Sequence, residues 1–411
     1  MVKFTSSIKD IEEIQLERLK WTFNQALKSR LYRNKLEGIE IRSLRDLSRL
    51  PFTTKRDLIS SYPYGSLAID LSEVRLILSS SGTTGTPVLT FYSSRDYELW
   101  MERLVRNLKL VGIGKGDVFV NTSNQALFTG RGYTDAALLV GATLIPVGPA
   151  SPERHLKIMA ELGVTSFHAI PSFAVKMANM AKDNNLTNRL KLRKAILGAE
   201  MWSEATRRRI EEGLNVVTYD NYGVAELGGP GIAIECHDRD GLHVWADHYI
   251  VEVIDPRSGE QLSEGGEGEL VITSLTREAM PMIRYRTGDI TKLMPSDCSC
   301  GLRTPKISRI KGRLDDMVKV RGISLYPKAV EEVVSSIPEL TGEYQIVLSG
   351  FDDITVRVEV KKCVTNIDHV KTVLRDKIKE ATMLNVNIEL MEEGKIMYEG
   401  KARRVMDLRR L

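Results

Sequence analysis

Between about residue 75 and residue 221, short apolar runs alternate with longer amphipathic ones, and this alternation restricts the fold more than any other feature of the chain. Leu76–Leu78, Val118–Asn121, Thr143–Val147, Thr165–Ile170, Lys194–Leu197 and Asn215–Tyr219 have strand character. Asp96–Val111, Tyr133–Val140, Glu153–Leu162, Phe173–Ala181 and Glu204–Glu212, lying between them, have helix character. Such a sequence of elements predicts βαβ units around a mostly parallel sheet. From 242 to 311 the runs shorten and are broken by Asp255-Pro256-Arg257-Ser258-Gly259 and Gly265-Gly266-Glu267-Gly268, which predicts an antiparallel or barrel-like portion. After about 315 the order becomes strand, helix, strand, strand, helix, strand, a small α+β unit of its own. Leu16, Leu19, Phe23, Leu27 and Leu31 form one stripe and predict a long helix over 9–37. With 411 residues the chain exceeds what one hydrophobic core holds, so we expect an α/β protein of two domains, 1–314 and 315–411.

Composition narrows the class. Net charge is +4, a slight excess that is spread along the chain apart from a C-terminal cluster around Arg403, Arg404, Arg409 and Arg410. A small polyanion suits this balance as well as nucleic acid does. No stretch approaches the roughly 20 apolar residues of a membrane span, and the first 30 residues have no apolar core of a signal peptide. Cys236, Cys298, Cys300 and Cys363 are too few for a disulfide scaffold. A cytoplasmic enzyme with small-molecule partners, no nucleic acid and no membrane, is the expectation.

The first chemical signal is Ser79-Ser80-Ser81-Gly82-Thr83-Thr84-Gly85-Thr86-Pro87, with six hydroxyls and two glycines in nine residues. Glycines let backbone N–H groups turn toward an anion, and hydroxyls add donors. The loop lacks the Gly-Lys-Ser/Thr ending of a Walker A motif. A Ser/Thr-rich hairpin turn fits the composition equally well.

The loop resembles the phosphate-binding signature of the adenylate-forming superfamily of acyl-CoA ligases, luciferases and peptide-synthetase adenylation domains. The nearer likeness is to the phenylacetate–CoA ligases and their relatives, including coenzyme F390 synthetases. It extends in order over nearly the whole chain: Leu50-Pro51-Phe52-Thr53-Thr54-Lys55, Tyr62-Pro63-Tyr64-Gly65, Leu127-Phe128-Thr129-Gly130, Gly198-Ala199-Glu200, Tyr222-Gly223-Val224-Ala225-Glu226, Tyr285-Arg286-Thr287-Gly288-Asp289, Gly312-Arg313-Leu314-Asp315-Asp316-Met317 and Gly400-Lys401-Ala402-Arg403-Arg404.

The resemblance implies an ATP-dependent acid–CoA ligase that forms an acyl-adenylate and then a thioester. ATP, Mg²⁺ and coenzyme A would be its cofactors. Ser81, Gly82, Thr83, Thr84 and Gly85 would hold the β- and γ-phosphates. Glu226 would hold Mg²⁺, as a hard oxygen ligand should; alone it reads as a loop carboxylate. Tyr222 would stack on adenine with Gly198, Ala199 and Glu200 on the other face, within the segment Asp220, Asn221, Tyr222 and Gly223; a core tyrosine is the competing reading. Asp289, helped by Arg313, would accept the ribose hydroxyls; otherwise it sits in a surface Thr-Gly-Asp turn. Lys401 would bridge the substrate carboxylate and the α-phosphate. Asp315 would be the hinge of a mobile C-terminal domain that brings Lys319 to the thioester-forming face. A CoA-free adenylyltransferase of the F390-synthetase type and a degenerate nucleotide-binding protein are the alternatives. Relatives are commonly dimers, which leaves a homodimer open.

The sequence departs from the pattern at three places. Ala225 stands where relatives carry Thr or Ser, removing one hydroxyl; a hydrogen bond to a charged group is worth about 1.5–3 kcal/mol. Val88-Leu89 replaces Lys-Gly after Pro87, as the phenylacetate branch tolerates. Gly148-Pro149-Ala150 replaces Ser-Gly-Gly on the acyl-pocket wall. Gln125, Phe128, Arg131 and Tyr133 lie on the segment expected to shape that pocket, and Arg131 with Asp135 is unusual company for a phenyl ring.

One feature lies outside the resemblance. Cys298-Ser299-Cys300 and, far upstream, Cys236-His237 with His243 gather three cysteines and two histidines in two polar segments. Cys₃His is a usual structural zinc set. We expect Cys236, His243, Cys298 and Cys300 as ligands, with His237 as substitute for His243. Three free thiols are the alternative, since neither Cys-X-Cys nor the gap is a finger spacing.

Overall fold

The computed structural model describes residues 8–80, 87–124, 126, 129–314, 318–320, 323–349, 353–397 and 404–408. β1 (Leu76–Ser79) and β2 (Leu89–Tyr92) pair as an antiparallel hairpin, with Leu76 opposite Tyr92 and Ser79 opposite Leu89. The run at 76–78 is therefore not part of the main sheet, and the hydroxyl-rich segment lies between β1 and β2 in the sequence.

β3 (Val118–Asn121), β4 (Thr143–Ile145), β5 (Ser166–Ala169), β6 (Lys194–Gly198) and β7 (Val217–Val224) are parallel neighbours in the order β4-β3-β5-β6-β7. Their residues alternate between two helical layers. Val120, Phe167 and Leu197 join Leu156, Met159, Met177 and Ile210 of the helices Pro152–Glu161, Pro171–Asp183 and Glu204–Leu214. Phe119 and Ile196, one position away, join Trp100, Leu104, Leu108 and Ala136 of the helices Ser94–Leu110 and Gly132–Leu139. Successive strand residues face opposite sides, so a parallel sheet covered on both faces favours near-continuous apolar runs; β3 and β6 come close to this, whereas β5 buries Ser166 and His168 and β7 buries Thr218, Asp220 and Asn221.

Beyond β7 the same sheet turns antiparallel. β8 (Gly229–Glu235), β9 (Leu242–Val244), β10 (Tyr249–Ile254), β11 (Glu267–Ser274), β12 (Tyr285–Met294), β13 (Lys306–Ile307) and β14 (Gly312–Arg313) continue it in the order β7-β8-β9-β13-β12-β11-β10, with β14 also paired to β12. The antiparallel part begins at 229, earlier than the turn clusters suggest.

A hairpin of β15 (Val318–Val320) and β16 (Ile323–Leu325) precedes a separate four-stranded sheet. Its strands β17 (Leu340–Leu348), β18 (Ile354–Val360), β19 (Asn387–Glu392) and β20 (Val405–Asp407) lie in the order β19-β18-β17-β20. Val330, Val334, Leu374 and Ile378 of its two helices, Pro327–Ser336 and Ile367–Thr382, close a core with Ile346, Val356 and Val358 that is distinct from the cores of the large sheet. The α/β class with a small C-terminal sheet domain is as expected.

The N-terminal helix is shorter than its apolar stripe predicts. It ends at Ala26, and a second turn runs Arg30–Arg33. Ser29 has extended backbone angles and accepts a hydrogen bond from the Tyr32 amide, capping the second turn. A side chain that caps one helix interrupts the one before it.

Candidate active site

The carboxyl ends of β6 and β7 lie side by side, and Gly198 stands opposite Asn221 in the parallel register. Two segments that sequence reasoning singled out, 198–200 and 220–224, thus meet at one sheet edge, the usual ligand side of a parallel sheet. A side chain at Gly198 would collide with the Asn221 carbonyl at 2.3 Å, so only glycine allows this approach. Ala199 follows with φ +70°, a left-handed conformation seldom taken by a residue with a side chain.

The Tyr222 hydroxyl donates to Asp289 Oδ2 at 2.6 Å, and Arg313 Nη1 donates to Asp289 Oδ1 at 2.5 Å. The second bond follows from pairing, since Asp289 and Arg313 are direct cross-strand partners on β12 and β14. Tyr222 is buried, and burial, then the Asp289 charge, holds its phenol well above the usual range, so it stays a donor. The Asp289 carboxylate is buried at the same point.

Glu226 lies in the turn Ala225–Leu227 that joins β7 to β8. It is buried and forms no hydrogen bond among the described residues, as suits a carboxylate that would hold a hard cation. The turn closes through Gly228 at φ +97°; a Cβ there would meet Arg277 Nη1 at 2.6 Å. Arg277 is buried and donates through Nη2 to Thr90 Oγ1 and the Phe91 carbonyl of β2, so its guanidinium lies between that turn and β2. Ser80 and Val88 pair just beyond β1 and β2: the Ser80 amide donates to the Val88 carbonyl at 2.9 Å, and the Val88 amide to Ser80 Oγ at 3.1 Å.

The side chains of three other candidates are engaged within the protein. Glu200 accepts from the Ser172 amide and hydroxyl, at the start of the helix Pro171–Asp183. Asp220 accepts from Arg309 Nε at 2.9 Å. Asn221 accepts from Asn107 Nδ2 at 3.2 Å.

On the expected pocket wall, Tyr133 is fully buried, bonded to Asn107 Nδ2 at 2.9 Å and stacked on His168 with centroids 4.4 Å apart. Arg131 and Asp135 pair at 3.4 Å, and Asp135 also accepts from the Tyr97 hydroxyl at 2.7 Å. Their charges therefore answer each other. Burial, then Asp135, pushes the Tyr97 phenol up to about 12.

Ser81, Gly82, Thr83, Thr84, Gly85, Gln125, Phe128, Asp315 and Lys401 lie outside the described residues, and of Lys319 only the backbone, in β15, is described. Sequence reasoning missed Asn107, His168, Arg277 and Arg309. Each is a polar residue within an apolar run or beside a strand, and that contrast was the available signal. Cys236, His243, Cys298 and Cys300 gather on the antiparallel half with their ligand atoms within 4.8 Å of one another. His237 instead points outward and contacts Asp238 at 3.3 Å, so it is not the substitute ligand.

Residues 18–276 match the family of AMP-binding enzymes, and residues 322–409 match the AMP-binding enzyme C-terminal domain. A phenylacetate–coenzyme A ligase of Thermus thermophilus is 38% identical over 394 residues, covering 90% of this chain and 88% of that protein. Among solved structures, 2-hydroxyisobutyryl-CoA ligase in the postadenylation state, in complex with R3-HIB-AMP, superposes with a TM-score of 0.91 at 25% identity, covering 99% of this chain and 91% of that one. The same ligase in complex with 2-HIB-AMP and CoA, in the thioesterification state, gives 0.74 at 26% identity, covering 98% and 91%. Among the described residues no helix is long and apolar enough to cross a membrane.

Proposed function

The chain belongs to the AMP-binding enzyme family, in the branch of the phenylacetate–CoA ligases, and from that premise we propose that it is a cytoplasmic, AMP-forming acid–CoA ligase acting on an aryl acid of the phenylacetate type. The observation that carries this reading is the meeting of β6 and β7 at Gly198 and Asn221, with Tyr222, Asp289 and Arg313 hydrogen-bonded beside them.

The reaction has two halves. A carboxylate oxygen of the acid bonds to the α-phosphorus of ATP, and the bond from that phosphorus to the bridging oxygen breaks, releasing pyrophosphate. The CoA thiol then loses its proton, its sulfur bonds to the acyl carbon, and AMP leaves with the electron pair. Adenine stacks on the Tyr222 ring, and Asp289 receives the ribose hydroxyls while Arg313 fixes its orientation. The loop 81–85 holds the β- and γ-phosphates through amides and hydroxyls. Glu226 is the residue that would hold magnesium, which would offset charge on the phosphate oxygens. Lys401 supplies a compact positive charge at the carboxylate and α-phosphate. With the hinge at Asp315 the small domain turns between the halves, replacing Lys401 with the face that carries Lys319. The internal pairing of Arg131 with Asp135, and of Asp135 with Tyr97, favours an aryl acid over one that carries a second charge. The Cys/His cluster takes no part in these steps.

A CoA-free adenylyltransferase is not favoured, because the full-length relatives are named as CoA ligases. The test is incubation with ATP, Mg²⁺ and a panel of aryl and aliphatic acids, with and without CoA. The reading expects pyrophosphate release that depends on an aryl acid, and an acyl-CoA product only when CoA is present. Transfer of AMP to a product that CoA does not discharge would overturn it.

A further inference from the structure

Three segments converge where β8, β9 and β13 lie side by side in the antiparallel half. Cys236 follows the end of β8, His243 is the middle residue of β9, and Cys298 and Cys300 sit on the loop between β12 and β13. Register explains the meeting: β9 pairs with β8 through Ile234 and His243, and with β13 through His243 and Lys306. We propose that Cys236, His243, Cys298 and Cys300 bind one structural zinc ion.

The spacing fits a tetrahedron before any ion is placed. Zinc bonds of about 2.3 Å to sulfur and about 2.0–2.1 Å to nitrogen put tetrahedral neighbours about 3.8 Å apart for two sulfurs and about 3.6 Å for sulfur and nitrogen. Cys236 Sγ and Cys298 Sγ are 3.6 Å apart, and Cys300 Sγ is 3.4 Å from His243 Nε2. His243 Nδ1 meets Thr304 Oγ1 at 3.2 Å, which turns Nε2 toward the sulfurs, the usual support of a metal-bound imidazole. Cys236 and His243 are buried while Cys298 and Cys300 are partly open, so an ion has an entry side.

Donor type selects the ion. Three thiolates and one imidazole are soft enough for zinc and unsuited to magnesium or calcium. Asp238 lies nearby, with Oδ2 3.1 Å from Cys298 Sγ, but it already accepts from Ser299 Oγ at 2.6 Å. On binding, the three thiols release three protons and the imidazole binds neutral, leaving the centre with one negative charge. With four protein ligands no position remains for a substrate, so the role is structural. The ion would fasten the loop after β12, which carries Asp289, to the end of β8, where Glu235 holds Arg207 and the Asp220 amide.

The full chain, expressed with zinc in the medium and purified without chelator, tests this by elemental analysis and thiol counting. The expected result is close to one zinc per chain, with Cys363 the only thiol quick to react with a disulfide reagent until the metal is stripped. Cys298→Ser and Cys300→Ser should each lose the zinc and melt at lower temperature, while Cys363→Ser keeps both. Should the first two variants fail to fold, titrating the wild-type thiols with a mercurial should release zinc in step with three of them, read with a chromogenic chelator. Metal-free protein with four reactive thiols overturns the proposal, as does bound iron in place of zinc or zinc retained by the serine variants.

Discussion

The Tyr222 hydroxyl and Asp289 Oδ2 are 2.6 Å apart, joining the parallel and antiparallel halves of one sheet across 67 residues of sequence. If Asp289 receives the ribose, the phenol sets its angle. A hydrogen bond to a charged group is worth about 1.5–3 kcal/mol, and Arg313 would still hold the other oxygen. Tyr222→Phe should therefore raise KM for ATP about 10-fold and change kcat little, because the ring remains for adenine. Steady-state kinetics with hydroxylamine trapping of acyl-AMP would read this. An unchanged KM would separate Asp289 from the ribose.

Lys401 makes a sharper prediction. A charge that acts only in the adenylation transition state lowers kcat and kcat/KM together when removed. Lys401→Ala should slow acid-dependent exchange of pyrophosphate into ATP by at least about 10²-fold, in line with loss of one electrostatic contact. It should still convert synthetic acyl-AMP and CoA to thioester at the normal rate. Near-normal exchange would remove the assignment.

The buried imidazole of His168 gives a pH prediction. Burial lowers its pKa to about 3 from an ordinary value near 6.5. The unfolded chain therefore takes up a proton that the folded protein refuses. The resulting stability is present in full above about pH 6.5 and lost as pH falls toward the folded value. Between pH 7 and pH 5 the loss from this residue alone is about 2 kcal/mol. His168→Asn should flatten the pH dependence of the urea midpoint by that amount, whatever its effect at pH 7. An equal acid slope in both proteins would mean that His168 gains its proton without unfolding.

Most of the secondary structure was legible because strands buried on both faces leave continuous apolar runs and the helices leave stripes. The run at 76–78 looks like the others, and only pairing with β2 takes it out of the main sheet. The break at Ser29 was hidden because the apolar stripe continues through Leu27 and Leu31 while capping is a one-residue event. Tyr222 and Asp289 were legible as motif members, but their hydrogen bond depends on the pairing of distant strands. The network of Asn107 with Tyr133, Asn221 and Trp245 was not legible, since its partners lie 26 to 138 residues away. Residue type pointed to the Cys/His cluster across a gap of about 60 residues, yet the choice of His243 over His237 was made by the register of β9.

The small domain rests on the large one through a polar contact that must break if the domain turns. Glu331, buried on the helix Pro327–Ser336, accepts from Ser203 Oγ at 3.1 Å and from the Thr206 hydroxyl. Asn179 Nδ2 donates to the Thr341 carbonyl at 2.9 Å, and Arg209 Nη2 to the Leu340 carbonyl at 2.5 Å. The chain superposes more closely on 2-hydroxyisobutyryl-CoA ligase in its postadenylation state, with a TM-score of 0.91, than on the same ligase in its thioesterification state, with 0.74. Removing a contact made only here should shift the population toward the other arrangement, and about 1.4 kcal/mol shifts it tenfold. Glu331→Ala should therefore slow adenylation by up to about 10-fold and leave thioester formation from supplied acyl-AMP unchanged or faster. Asp315→Pro should do the reverse, supporting adenylation while losing the thioester step, because proline would fix φ at the proposed hinge. Rapid-quench measurement of each half-reaction would separate the two variants. Equal losses in both halves for both variants would indicate damage to the fold and leave no role for domain rotation.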